Sequence, residues 1–340
     1  MVTMTGMPMP PGSAALSTQV YANGDKYEGD FDNSGQRHGQ GTFTWATGDT
    51  YSGQFMHGKK HGAGSFTQQD GSRYVGEWNE DAMHGVGTFT YDNGETYEGQ
   101  WTDNQVEGTG TWRYADGSVY IGQFAAGMKS GQGKYTLPSG DVADGTWVDD
   151  ALNGHAKMNY RNGNEYSGEW VDNAKSGQGT LRFASGAVFE GAFEGDQRNG
   201  RGKLTAADGT VYEGEFKNAK KHGQGKFTFP RSGATYEGQW ADDKMNGFGR
   251  YNFSDKSVYE GAFKDDLMHG DGQKTWADGN KYDGQWENDM RHGSGTFSWV
   301  TTTTIYVGDW VRDKRHGRGK LTLSDGTVQE GPFENNEFVG

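Results

Sequence analysis

Two short runs of alternating apolar and polar residues recur along the chain every 23 or 24 residues. The segment from Tyr74 serves as the type. Tyr74, Gly76 and Trp78 share one side of the first run, with Val75 and Glu77 on the other. A polar stretch, Asn79-Glu80-Asp81-Ala82-Met83, separates it from the second run, His84 to Tyr91, in which Gly85, Gly87, Phe89 and Tyr91 share a side. A period of two is that of a half-buried β-strand, because successive side chains point to opposite faces. Asp92-Asn93-Gly94 then leads into the next run, and such Asn-Gly pairs are hairpin signals of the type I′ kind. Each period therefore predicts one β-hairpin, and the whole predicts stacked hairpins.

The opening motif, Tyr-x-Gly-x-Trp/Phe, recurs fourteen times, starting at 27, 51, 74, 97, 120, 143, 166, 189, 212, 236, 259, 282, 306 and 329, with Ala143, Phe189 and Gln329 in place of the Tyr. A fixed period of this length signals a repeat architecture. Gly lies three residues before the motif, except where Lys256 and Thr303 replace it. Gly weakens a strand unless something approaches its backbone closely. Folding the hairpin symmetrically about its polar stretch sets Tyr74 opposite Phe89 and Trp78 opposite Gly85, so the expectation is a Trp ring lying on bare glycine.

Composition agrees with this picture. Gly makes up 58 of 340 residues and hydrophobic residues 31%, which alone would suggest disorder. Aromatic residues at 14% argue for a packed core. With no Cys there are no disulfides, thiolate chemistry or cysteine-held metals, and nothing points to secretion. No apolar run approaches the roughly 20 residues of a membrane helix, and no signal peptide or myristoylation site opens the chain. A net charge of -14 disfavours nucleic acid and anionic lipid. The expectation is a soluble cytoplasmic protein.

Tyr212-Glu213-Gly214-Glu215-Phe216 followed by Lys221-His222-Gly223-Gln224-Gly225 resembles the MORN (membrane occupation and recognition nexus) repeat, and the match extends in register over residues 27–340. The resemblance implies an all-β, elongated, twisted, single-layer solenoid of stacked antiparallel β-hairpins. It also implies the settings in which such arrays occur: cytoskeletal scaffolds, ciliary radial spokes, membrane junctions and appendages to enzymes. Residues 1–19 carry no period and read as a tail. Residues 20–340 read as the array, opened by a half-hairpin at 20–26 and ending one strand into the fourteenth motif. Strand spacings make fourteen hairpins about 130–140 Å long.

The sixth repeat departs from the pattern: Ala143 replaces Tyr, Ala156 replaces Gly and Met158 stands where an aromatic ring is usual. Drift in a tolerant array accounts for this, and a bend or a partner-docking notch is the sharper reading. Lys274 in an apolar slot is a second candidate contact. Three basic doublets, Lys59-Lys60, Lys220-Lys221 and Lys314-Arg315, are candidates for a lipid headgroup.

Seven of the nine His precede the loop-exit Gly, namely His38, His61, His84, His222, His269, His292 and His316. Equivalent positions about 10 Å apart cannot share a metal whose ligands each lie about 2 Å from it, so these read as turn residues. His57 and His155 read as isolated. No metal or other cofactor, and no catalytic residue, is expected.

Three functions follow. The first is a non-enzymatic scaffold binding proteins, with self-association as a further mode, in a cytoskeletal assembly, with a ciliary or flagellar axoneme as the setting. The second is a peripheral membrane tether that takes phosphoinositides on its basic loops. The third is an accessory subunit of an enzyme.

Overall fold

The computed structural model describes residues 17–340, and the tail expected at 1–19 lies outside them up to residue 16. The described residues contain strands and turns and no helix, so no helix is long and apolar enough to cross a membrane. The chain divides into two units, residues 1–161 and 162–340. Within each unit, consecutive strands pair antiparallel as hairpins stacked in sequence order. The strand Ser17–Val20 pairs with Lys26–Gly29, so the opening half-hairpin starts three residues earlier than the pattern suggested.

In the type repeat, Arg73–Asn79 and Ala82–Thr90 are the two strands. The polar stretch between them collapses to a two-residue turn, Glu80-Asp81, with φ of 47° and 74°. Positive φ at both central positions is the type I′ requirement, which suits the strand twist. That chemistry belongs to the turn inside each hairpin, for example Asp149-Asp150, Asp172-Asn173 and Asp265-Asp266. The turn between repeats has a single positive φ, at Gly94 in the type repeat (87°). Lys256 and Thr303 hold the same position at 74° and 50° without the freedom of glycine.

The register corrects the expected packing. Tyr74 lies opposite Phe89 and Gly76 opposite Gly87, but the pairing then jumps so that Glu77 meets His84 and Trp78 meets Met83. A β-bulge at Gly85 and Val86 absorbs the difference, and Gly85 takes φ of 61°. Gly85 instead faces Trp101 of the following repeat. The ring on bare glycine is the tyrosine. A Cβ on Gly87 would stand 2.3 Å from the Tyr74 hydroxyl and 2.4 Å from its ring, and one on Gly76 would stand 2.4 Å from the hydroxyl. The symmetric folding failed because a bulge is invisible to a period of two.

The core follows from this seat. Tyr74 is wholly buried, and its hydroxyl donates to the Glu77 carbonyl at 3.0 Å. Its ring meets Trp78 edge-on at 5.1 Å and Trp101 of the next repeat at 5.4 Å. Trp101 in turn donates its indole N–H to the Gly87 carbonyl at 3.2 Å. Rings thus alternate from repeat to repeat in T-shaped contact, each pair contributing about 0.5–1.5 kcal/mol beyond area burial. The sixth repeat obeys the same rule in reverse. Ala143 is buried, Gly145 faces Ala156, and the methyl of Ala156 occupies space the ring would fill.

Candidate interaction face

Beyond the buried rings, the second strand of each hairpin ends in a partly open aromatic row. In the first unit Phe89 touches Tyr91 at 4.5 Å, Tyr91 stacks on Trp112 at 5.7 Å, and Trp112 stacks on Tyr114 at 5.6 Å. Tyr91, Trp112 and Tyr114 are half-buried. The second unit carries the same row through Phe227, Phe229, Tyr251, Phe253, Trp276, Phe297 and Trp299.

Cations lie among these rings. The residue two before the loop-exit Gly is basic in eight repeats, beginning with Arg37 and Lys60. Lys60 Nζ stands 3.9 Å from the Trp78 ring centre and 4.9 Å from Phe66. Lys221 stands 4.4 Å from Trp240, and the Arg291 guanidinium 4.4 Å from Trp310. Burial among rings lowers the pKa of Lys60 and of Lys221. Each such contact contributes about 0.5–2 kcal/mol, rising with desolvation. This row was readable as a basic residue recurring at one offset; the bulge concealed which face it occupies.

The basic doublets divide between the two faces, because neighbouring strand residues point opposite ways. Lys60 and Lys221 turn to the rings, and Arg315 lies 5.5 Å from the centre of the Phe333 ring. Lys59 pairs with Glu80 at 3.2 Å and Lys220 with Asp242 at 3.3 Å, while Lys314 donates to Asn335 at 3.4 Å.

Lys274 sits 4.4 Å from the Phe253 ring centre and 5.5 Å from that of Trp276, filling a ring position with a cation. Burial there lowers its pKa. Ala143 is 2% exposed, and Met158 is half-buried opposite it. A notch opens between other repeats. Ala206 stands in the outer aromatic row and Leu204 in the inner one, and a cavity of about 480 Å³ forms over them. Its walls include Tyr212, Phe227, Lys221 and Asp208. Sequence reasoning passed over Ala206 because the motif Tyr of its neighbours is intact.

The opposite face is polar and carries the bulges. The Gln100 carboxamide oxygen accepts from the Thr109 N–H at 2.7 Å, and the Glu77 carboxylate accepts from Val86 at 3.1 Å. Some of the acidic residues are thus structural acceptors. His57 is not isolated: its Nδ1 lies 3.8 Å from an Asp32 oxygen and its ring 5.7 Å from that of His38.

Hairpins that bury one tyrosine on two glycines and repeat that unit define a β-hairpin repeat protein. The MORN repeat model matches thirteen successive spans, from 27–50 to 306–328, and the chain belongs to that family. The fourteenth motif falls beyond the last match, where Val328–Glu334 is followed only by the two-residue strand Glu337–Phe338. No curated protein matches the chain. Among solved structures, the TCP10 domain of Danio rerio CPAP, in complex with a peptide of STIL, aligns over 79% of this chain and 97% of that one, at 14% identity and a TM-score of 0.25. The TCP domain of Drosophila melanogaster SAS-4, in complex with a proline-rich motif of Ana2, aligns over 61% and 96% at 16% identity and 0.27. A streptogramin B lyase aligns over 95% and 90% at 13% identity and 0.14. Likeness at these values says nothing of function.

Proposed function

We propose that this MORN array is a non-enzymatic scaffold that binds other proteins along its half-buried aromatic row. The observation that carries the reading is the row itself: stacked rings left partly open, with cations among them, over a core that is already complete. Exposed apolar surface of this kind marks interaction sites. The notch at Leu204 and Ala206 suits an apolar side chain, and Lys221 in its wall suits an acidic neighbour. The partner we envisage is a protein segment with an apolar anchor and acidic flanks.

The setting we favour is a cytoskeletal assembly of a cilium or flagellum, such as a radial spoke, and this extends the family resemblance alone. A membrane tether has less support, since the basic doublets split between faces. An accessory role to an enzyme rests on the family's range of settings. Replacing Ala206 by Trp fills the notch. Proximity labelling in the native cell should return axonemal proteins for the wild type and lose at least one of them for Ala206→Trp at unchanged thermal stability. Labelling that returns membrane proteins instead, or a profile indifferent to the substitution, contradicts the reading.

A further inference from the structure

The first repeat differs from the others in its turn. Asp32-Asn33-Ser34-Gly35-Gln36 replaces the usual two-residue turn, closed by the Asp32 N–H on the Gln36 carbonyl at 2.8 Å. One Asp32 carboxylate oxygen, Oδ1, accepts from the Ser34 N–H (2.9 Å), the Ser34 hydroxyl (2.6 Å) and the Gln36 N–H (2.9 Å). The carboxylate is therefore held in place by one oxygen. The other, Oδ2, faces His57 Nδ1.

His57 comes from the turn of the next repeat, at φ of 51°, where several other repeats place Asp or Asn. His38 comes from the loop-exit position, and its Nδ1 is buried without a hydrogen-bond partner. One ligand atom from each of Asp32, His38 and His57 lies within 4.8 Å of the other two, the one such three-residue group among the described residues. In the equivalent place two repeats along, His84 Nδ1 lies 3.9 Å from an Asp103 oxygen, and no third ligand completes a group there among the described residues.

We infer that Asp32, His38 and His57 form a binding site for a divalent first-row transition cation of the zinc class. Two imidazoles and a carboxylate are donors suited to zinc, which takes nitrogen and oxygen at about 2.0–2.2 Å in a tetrahedron. Tetrahedral ligands at that radius stand about 3.4 Å apart, so the three atoms must close by roughly an ångström. The His57 side chain is 72% exposed and free to swing that far. The fourth position opens to solvent and takes water. The equivalence argument that excluded a shared metal compared like positions in different repeats, whereas this site joins three unlike ones.

The test uses the full chain without a histidine tag, stripped with chelator and titrated with zinc chloride by calorimetry. The expected result is one saturable site with a dissociation constant in the micromolar range, and NMR shifts in the His38 and His57 ring signals. His57→Asn keeps the positive-φ turn, since Asn tolerates that conformation. It should weaken binding at least tenfold while leaving the melting temperature of the metal-free protein unchanged. His84→Asn should leave binding as it is. The absence of a one-equivalent site, binding indifferent to His57→Asn, or equal loss in His84→Asn would overturn the proposal.

Discussion

A tyrosine hydroxyl buried at 0% exposure needs a fixed acceptor, and each motif tyrosine finds one three residues on, as Tyr27 does at the Asp30 carbonyl (2.9 Å). Burial then resists ionisation. The Tyr27 pKa rises from 10.0 to about 12, by desolvation first and the Asp30 charge second, and those of Tyr97 and Tyr120 also rise to about 12 through burial. In the unfolded chain these phenols lose protons near their ordinary value, while the folded chain keeps them. The folded state therefore binds more protons between the two values, and stability falls as pH rises. The contribution of these tyrosines should be constant below about pH 9, and stability should fall steeply between pH 10 and 12. Thermal melts across that range check this; a flat profile to pH 12 contradicts it.

At the scale of the hairpin, type I′ turns within each unit grip the repeat before them. The Asn104 side-chain oxygen accepts from the Met83 N–H at 2.8 Å, and the Asn104 N–H donates to the Met83 carbonyl at 3.0 Å. Asp150 does the same to Lys129, and Asp289 to Met268. Asn104→Ala loses one bond and gives up the tolerance of Asn for a φ of 69°. It should cost about 1–2 kcal/mol by urea unfolding. Asn104→Gly, which keeps the backbone conformation, should cost less; a larger loss for Gly than for Ala would reject the turn assignment. The hairpins and the motif tyrosine were legible in the alternation and the 23-residue period, whereas the length of the turn inside each hairpin was not. The bulge was not, because Gly85 and Val86 keep the alternation while stepping out of register. The misplacement of Trp78, the missed cation row and the apparent isolation of His57 all come from reading register and equivalence off a linear pattern.

The molecule as a whole repeats one unit: a ring, the two glycines beneath it and a neighbouring repeat's ring against its edge. Phe189 keeps both glycines, Gly191 and Gly202, because its ring still covers them. Only where Ala143 replaces the ring does the second glycine become Ala156. Ring and glycine therefore act together, and the partly open aromatic row stands on that unit in every complete repeat but the sixth. The double-mutant cycle of Tyr74→Ala and Gly87→Ala tests this most directly, read by urea unfolding. Gly87→Ala alone should cost about 1–3 kcal/mol through overpacking, and Tyr74→Ala about 3–5 kcal/mol through the cavity. Together they should cost at least 1 kcal/mol less than the sum of the two, within the usual range of about 0.5–3 kcal/mol for residues in contact. Additive losses would mean that the tyrosine and the glycine do not form one packing unit.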